Sequence, residues 1–174
     1  MPSDPTAAVF GRLREHWPHA SAEQAGVGLA VQRLARLIAR SAQAALRGLD
    51  LTPTEFELLA ALRAHAPPHR LTPGDLTDAM LISSGGATKL LKGLEARGLI
   101  RRPPSGRDRR SRPVELSPKG RALAERAMAA VQAAEAPMME AMGAAWRGEG
   151  DLAAALVALA AAAERARAGQ AEDR

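Results

Sequence analysis

The tripeptide Leu-Thr-Pro occurs twice, at Leu51–Pro53 and at Leu71–Pro73, and each copy stands where a helix can begin. Threonine at an N-cap accepts a hydrogen bond from a first-turn N–H. Proline, with φ already fixed and no N–H to leave unpaired, suits the first helical position. In LTPTEFELLAALRAHAPP, Glu55 follows Thr52 by three residues, the spacing of a capping box. These signals predict one helix from Pro53 to about Ala64 and a second, in LTPGDLTDAM, from Pro73 to about Met80. Ser83 or Ser84 then caps a third, which Gly98 ends. Two short helices joined by a turn of three or four residues make a helix-turn-helix, whose second member lies in the DNA major groove.

Along the third helix, Ala87, Leu90, Leu91 and Leu94 form the stripe to be buried. Gly85, Gly86, Thr88, Lys89 and Lys92 fall on or near the open side, and Ser84 is counted with them as facing DNA. Glycine at a helix start lets backbone N–H groups approach a phosphate closely, where the helix dipole also favours an anion. A threonine methyl can touch thymine, and a lysine can reach the acceptors of guanine.

Beyond Gly98 the pattern changes to extended runs, LIRR and RPVEL, the second with Val114 and Leu116 on one face. The connecting PPSGRDRRS is rich in turn residues. The expectation is a β-hairpin with a basic tip, a wing that presents Arg107, Arg109, Arg110 and Arg112 to the minor groove. Asp108, alone among them, is expected to pair with a neighbouring arginine and hold the tip in shape.

Charge supports the same face. From Ser84 to Arg112 the chain carries nine lysines and arginines against two acids, a net charge of +7, whereas the remainder carries 15 against 17, or −2. A polyanion binder gathers its positive charge in this way, because each neutralised phosphate releases counterions.

The flanks read as helical. Val27, Val31, Leu34, Ile38, Ala45 and Leu49 keep close to heptad spacing in one long helix. Leu123, Ala127, Val131, Ala134, Met138 and Met142 line another, which Pro137 should bend or interrupt; Leu152, Leu156 and Leu159 begin a last helix after the Gly148–Gly150 break. Three thin helices cannot bury these seams alone, so a homodimer is expected. The fold expected is mainly α with a small β-wing. It divides into an N-terminal segment and dimerisation helix over 1–50, a winged helix-turn-helix domain over 51–117, and C-terminal dimerisation helices over 118–174.

Other classes fit poorly. With no cysteine there is no disulfide, thiolate metal site or cysteine nucleophile, and a reducing cytoplasm fits. Phosphate-loop, nucleophile-elbow and dinucleotide signatures are missing, His65 and His69 straddle Pro67 and Pro68, and no run is apolar enough to span a membrane. Neither catalysis, a metal nor a cofactor is expected. The alternative is a winged-helix module that docks on protein without reading DNA. A chain with no tyrosine, 2% aromatic residues and an arginine-rich wing lacks the anchors such a face favours.

The motifs LTPTEFELLAAL, LTPGDLTDAMLISSGGATKLLKGLEARGLI and DRRSRPVELSPKGR, from about Leu51 to Arg121, resemble the winged core of the multiple-antibiotic-resistance regulator (MarR) family. Asp108 and Arg110 match its Asp-x-Arg wing signature. The resemblance implies that Arg110 enters the minor groove braced by Asp108, and that terminal helices pair two protomers on a pseudo-palindromic operator. It also implies a small, often aromatic or anionic effector bound between the dimerisation and DNA-binding regions. The N-terminal REHWPH is similar to the urate-responsive, PecS-like branch. That likeness implies effector-binding roles for Trp17, Glu57 and Arg102, with Leu90 where the branch has a second arginine.

Overall fold

The computed structural model describes residues 5–17, 23–103, 113–148 and 150–172. Its elements are α1 (Pro5–His16), α2 (Glu23–Leu46), α3 (Pro53–Ala64), β1 (Arg70–Leu71), α4 (Pro73–Met80), α5 (Ser84–Ala96), β2 (Ile100–Arg101), β3 (Val114–Leu116), α6 (Pro118–Ala145) and α7 (Leu152–Glu172). They form two compact units, one up to Glu135 and one from Ala136 onward.

Local chemistry sets the boundaries of the short helices. Thr52 and Glu55 make the expected capping box, with Thr52 N–H donating to Glu55 Oε2 at 2.8 Å and Glu55 N–H to Thr52 Oγ1 at 3.2 Å. Thr72 and Asp75 repeat it at α4, an aspartate replacing the glutamate. At the far end of α5, Gly98 adopts φ +66°. Its N–H reaches the Glu95 carbonyl and that of Leu99 reaches Leu94, the paired bonds of a Schellman ending.

The three strands form one antiparallel sheet in the order β1-β3-β2, with Leu71 opposite Val114 and Ile100 opposite Leu116. The hairpin β2–β3 is the expected one; β1 is additional, and its two residues carry too little pattern to read.

The core of the first unit joins every element around the helix-turn-helix. Leu58, Leu59 and Leu62 of α3 meet Leu76, Leu91 and Leu94 of α4 and α5, with Leu99, Ile100, Val114 and Leu116 from the sheet. Ala42 and Leu46 from the end of α2, and Ala124, Ala127 and Val131 from the start of α6, belong to the same cluster. Gly120 lets α6 approach the sheet: a Cβ there would lie 1.9 Å from the Leu99 carbonyl oxygen. Ser117 fastens this junction, its hydroxyl donating to Gly98 O at 2.7 Å and accepting from Gly120 N–H at 2.9 Å.

The seams behave differently along their length. On α2, Val27 and Val31 are exposed and Leu34 and Ile38 half-exposed, whereas Ala42 and Leu46 are buried. In the second unit none of the described residues is buried, and Val157 is 69% exposed. Pro137 does not interrupt α6, which stays helical from Pro118 to Ala145. The proline sits on an exposed face, so the carbonyl that loses its partner can turn to water.

Candidate nucleic-acid interface

α4 ends at Met80, Leu81 takes a left-handed conformation with φ 52°, and three residues later α5 begins. Ser83 is the cap, its hydroxyl accepting from Gly86 N–H at 3.2 Å. The Gly86 N–H is therefore engaged, and the open first-turn donors are those of Ser84 and Gly85. A Cβ on Gly85 would meet nothing within 4 Å, so what that glycine leaves open is the approach from outside.

The expected division of α5 holds. Ala87, Leu91 and Leu94 are buried and Leu90 is half-buried, while Ser84, Gly85, Gly86, Thr88, Lys89 and Lys92 are exposed. The Thr88 hydroxyl donates to the Ser84 carbonyl at 2.9 Å, so its proton is spent within the helix although the residue is exposed.

Not all the positive charge of this segment is free. Arg97 pairs with Glu55 at 3.0 Å and with Asp50 at 3.2 Å, tying the end of α5 to the start of α3. Arg102 pairs with Glu95 at 3.4 Å. Arg101 and Arg70 both reach Glu115, the Arg70 bond measuring 2.7 Å. Between Ser84 and Arg112, Lys89 and Lys92 are the cations without an acidic partner among the described residues. Arg107, Asp108, Arg109, Arg110 and Arg112 lie outside the described residues. On either side of them β2 and β3 pair, with Arg101 opposite Glu115.

Glu115, 3% exposed, gives no functional signal in the sequence, since an acid between Val114 and Leu116 reads as the solvent side of a strand. Two arginines from the flanking strands make its burial tolerable. The Arg70 hydrogen bond is the chief cause holding its carboxyl below the ordinary range, against the opposing effect of burial, with Arg101 adding to it.

The three expected effector residues are not gathered by any described contact. Trp17 is 63% exposed at the end of α1, Glu57 is exposed on α3, and Arg102 is committed to Glu95. Leu90 instead lines a cleft of about 370 Å³ with Thr52, Thr54, Glu55, Ile82 and Lys89. Among the described residues no group of three or more histidines and acids could hold a metal, and no helix is long and apolar enough to cross a membrane.

A capped helix-turn-helix followed directly by an antiparallel hairpin defines a winged helix-turn-helix protein. Residues 49–111 match the model of the MarR family. The HTH-type transcriptional repressor Rv2887 of Mycobacterium tuberculosis is 33% identical over 118 residues, 68% of this chain and 83% of the repressor. The chain belongs to the MarR family of transcriptional regulators. The HTH-type transcriptional regulator PecS of Dickeya dadantii is also 33% identical, over 96 residues, 55% of this chain and 58% of PecS. A crystal structure of Rv2887 in complex with p-aminosalicylic acid superposes with a TM-score of 0.54 at 34% identity, covering 65% of this chain and 83% of that one.

Proposed function

We propose that the chain is a ligand-responsive repressor that binds a pseudo-palindromic operator as a homodimer. The observation that carries this reading is the exposed face of α5, where open N–H groups at Ser84 and Gly85 precede Thr88 and the two unpaired lysines, Lys89 and Lys92. Such a face combines a phosphate anchor at the helix start with side chains that can reach base edges. In this reading residues 51–117 read DNA, and 1–50 with 118–174 pair the protomers. Arg107, Arg109, Arg110 and Arg112 contact the minor groove, with Asp108 bracing them. The repressor name of Rv2887 and its complex with a small aromatic acid support both repression and response to an effector. We place that effector near Trp17, Glu57 and Arg102, where binding would have to compete with Glu95 for the Arg102 guanidinium. Cytoplasmic location and lack of catalysis follow from the same reading.

One anisotropy titration tests these points together. The intact protein binds a labelled fragment of its own upstream region, and Lys89→Ala with Lys92→Ala weakens binding and lowers its salt dependence, because two positive charges that face the DNA are lost. Aromatic acids added to the wild-type complex release the DNA. An unchanged salt slope would remove α5 from the interface, and no release by any such acid would remove the effector.

A further inference from the structure

Positive charge outside the reading helix and wing gathers on α2, where Arg33, Arg36 and Arg40 occur and no acid lies between Glu23 and Asp50. At 3.6 residues per turn, Leu29, Arg33, Arg36, Leu37 and Arg40 share one side of α2, opposite Val27, Val31, Leu34 and Ile38. Pairing of protomers through the valine seam therefore does not require the arginine side. α1 lies along that side in the opposite direction. Phe10 packs at Gly26, where a Cβ would lie 3.6 Å from its ring, and Thr6 Oγ1 accepts from Arg33 Nε at 2.7 Å.

Between the two helices runs a groove of about 160 Å³, with apolar walls from Val9, Phe10, Leu29 and Leu37. It extends from Leu29 to Arg40, roughly 16 Å along the helix at 1.5 Å per residue. So small a volume over that length accommodates a single chain rather than a fused ring. The groove is also polarised. Phe10 marks its apolar end, and Arg33, Arg36 and Arg40 follow toward the other. Thr6 orients the Arg33 guanidinium, while Arg36 and Arg40 are exposed and have no hydrogen-bond or ion-pair partner among the described residues.

We propose that this groove binds a medium-chain aliphatic carboxylate, its chain against Phe10 and Leu29 and its carboxylate between Arg36 and Arg40. A guanidinium left unpaired beside apolar surface suits an anion with a hydrocarbon body, because one molecule then satisfies both. The site shares no residue with the interface on α5 or with Trp17, Glu57 and Arg102, so it stands or falls apart from the DNA-reading proposal.

The experiment is calorimetric titration of the intact protein with octanoate, with octan-1-ol as the uncharged control. Octanoate is expected to bind saturably. The Arg36→Gln/Arg40→Gln double variant should bind it at least about tenfold more weakly, the loss expected when a charge-assisted hydrogen bond is removed. Glu57→Gln should leave the affinity unchanged. In nuclear Overhauser spectra the octanoate chain should contact the ring of Phe10 and not that of Phe56, a readout that does not depend on the variants folding. Absence of saturable binding, equal affinity for the alcohol, full affinity in the double variant, loss in Glu57→Gln, or contacts to Phe56 alone would each overturn the assignment.

Discussion

Glu115 sits in the middle strand of the three-stranded sheet, and arginines reach its carboxylate from both neighbouring strands. Their attraction, led by the Arg70 hydrogen bond, holds its native carboxyl below the ordinary glutamate range. The carboxylate therefore contributes stability at pH above the ordinary glutamate value, and that contribution is lost as pH falls through the lower native value. Glu115→Gln is expected to cost about 1–3 kcal/mol near neutral pH, a charge-assisted interaction removed from a buried site. In urea denaturation followed across the acid range, the gap between variant and wild type should close as the wild-type carboxylate takes up a proton. A gap that stayed constant would mean that the charge on Glu115 is irrelevant. No sequence pattern announces this residue, because its partners are distant in the chain, Arg70 by 45 positions and Arg101 by 14. Arg97 is hidden for the same reason: free charge by its place in the sequence, it is spent on Glu55 and Asp50.

At the scale of elements, what is legible in the sequence is what is decided locally. α3 and α4 start and stop where their Thr-Pro openings place them, because each cap is completed within four residues. α5 closes at Gly98 by the same kind of short-range bonding. α1 and β1 are not legible in this way. The 12 residues of α1 carry only a weak amphipathic pattern, and the two-residue β1 exists by pairing with a strand more than 40 positions away. Of the two outcomes expected at Pro137, interruption does not occur, since a proline on an exposed helical face can be accommodated. The junction between α6 and the sheet gives a sharp test of how closely elements pack. Gly120→Ala would place its methyl against the Leu99 backbone, which cannot swing aside as a side chain can. A loss of about 2–3 kcal/mol is expected in chemical denaturation, toward the upper range for overpacking. A variant as stable as wild type would show that α6 can shift outward at no cost.

At the scale of the molecule, the uncovered apolar residues among the described ones include Val27 and Val31 on the seam of α2 and Leu156, Val157 and Leu159 on α7. The proposed homodimer would bury them, so light scattering at micromolar concentration should give twice the chain mass, and Val31→Asp should shift the population toward monomer. A monomeric wild type would refute the assembly. The shared core has a further consequence. Ala42 and Leu46 of α2 and Ala124, Ala127 and Val131 of α6 pack in the same cluster as Leu91 and Leu94 of α5. The winged region is thus not a portable cassette. Cut out at residues 51–117, it would leave with raw edges where α2 and α6 had been, and a chimera assembled at those borders would inherit them. What is welded in this way also moves as one piece: in a pair of such chains, a small tilt of α2 would act as a lever, and the distance between two α5 helices would be its scale.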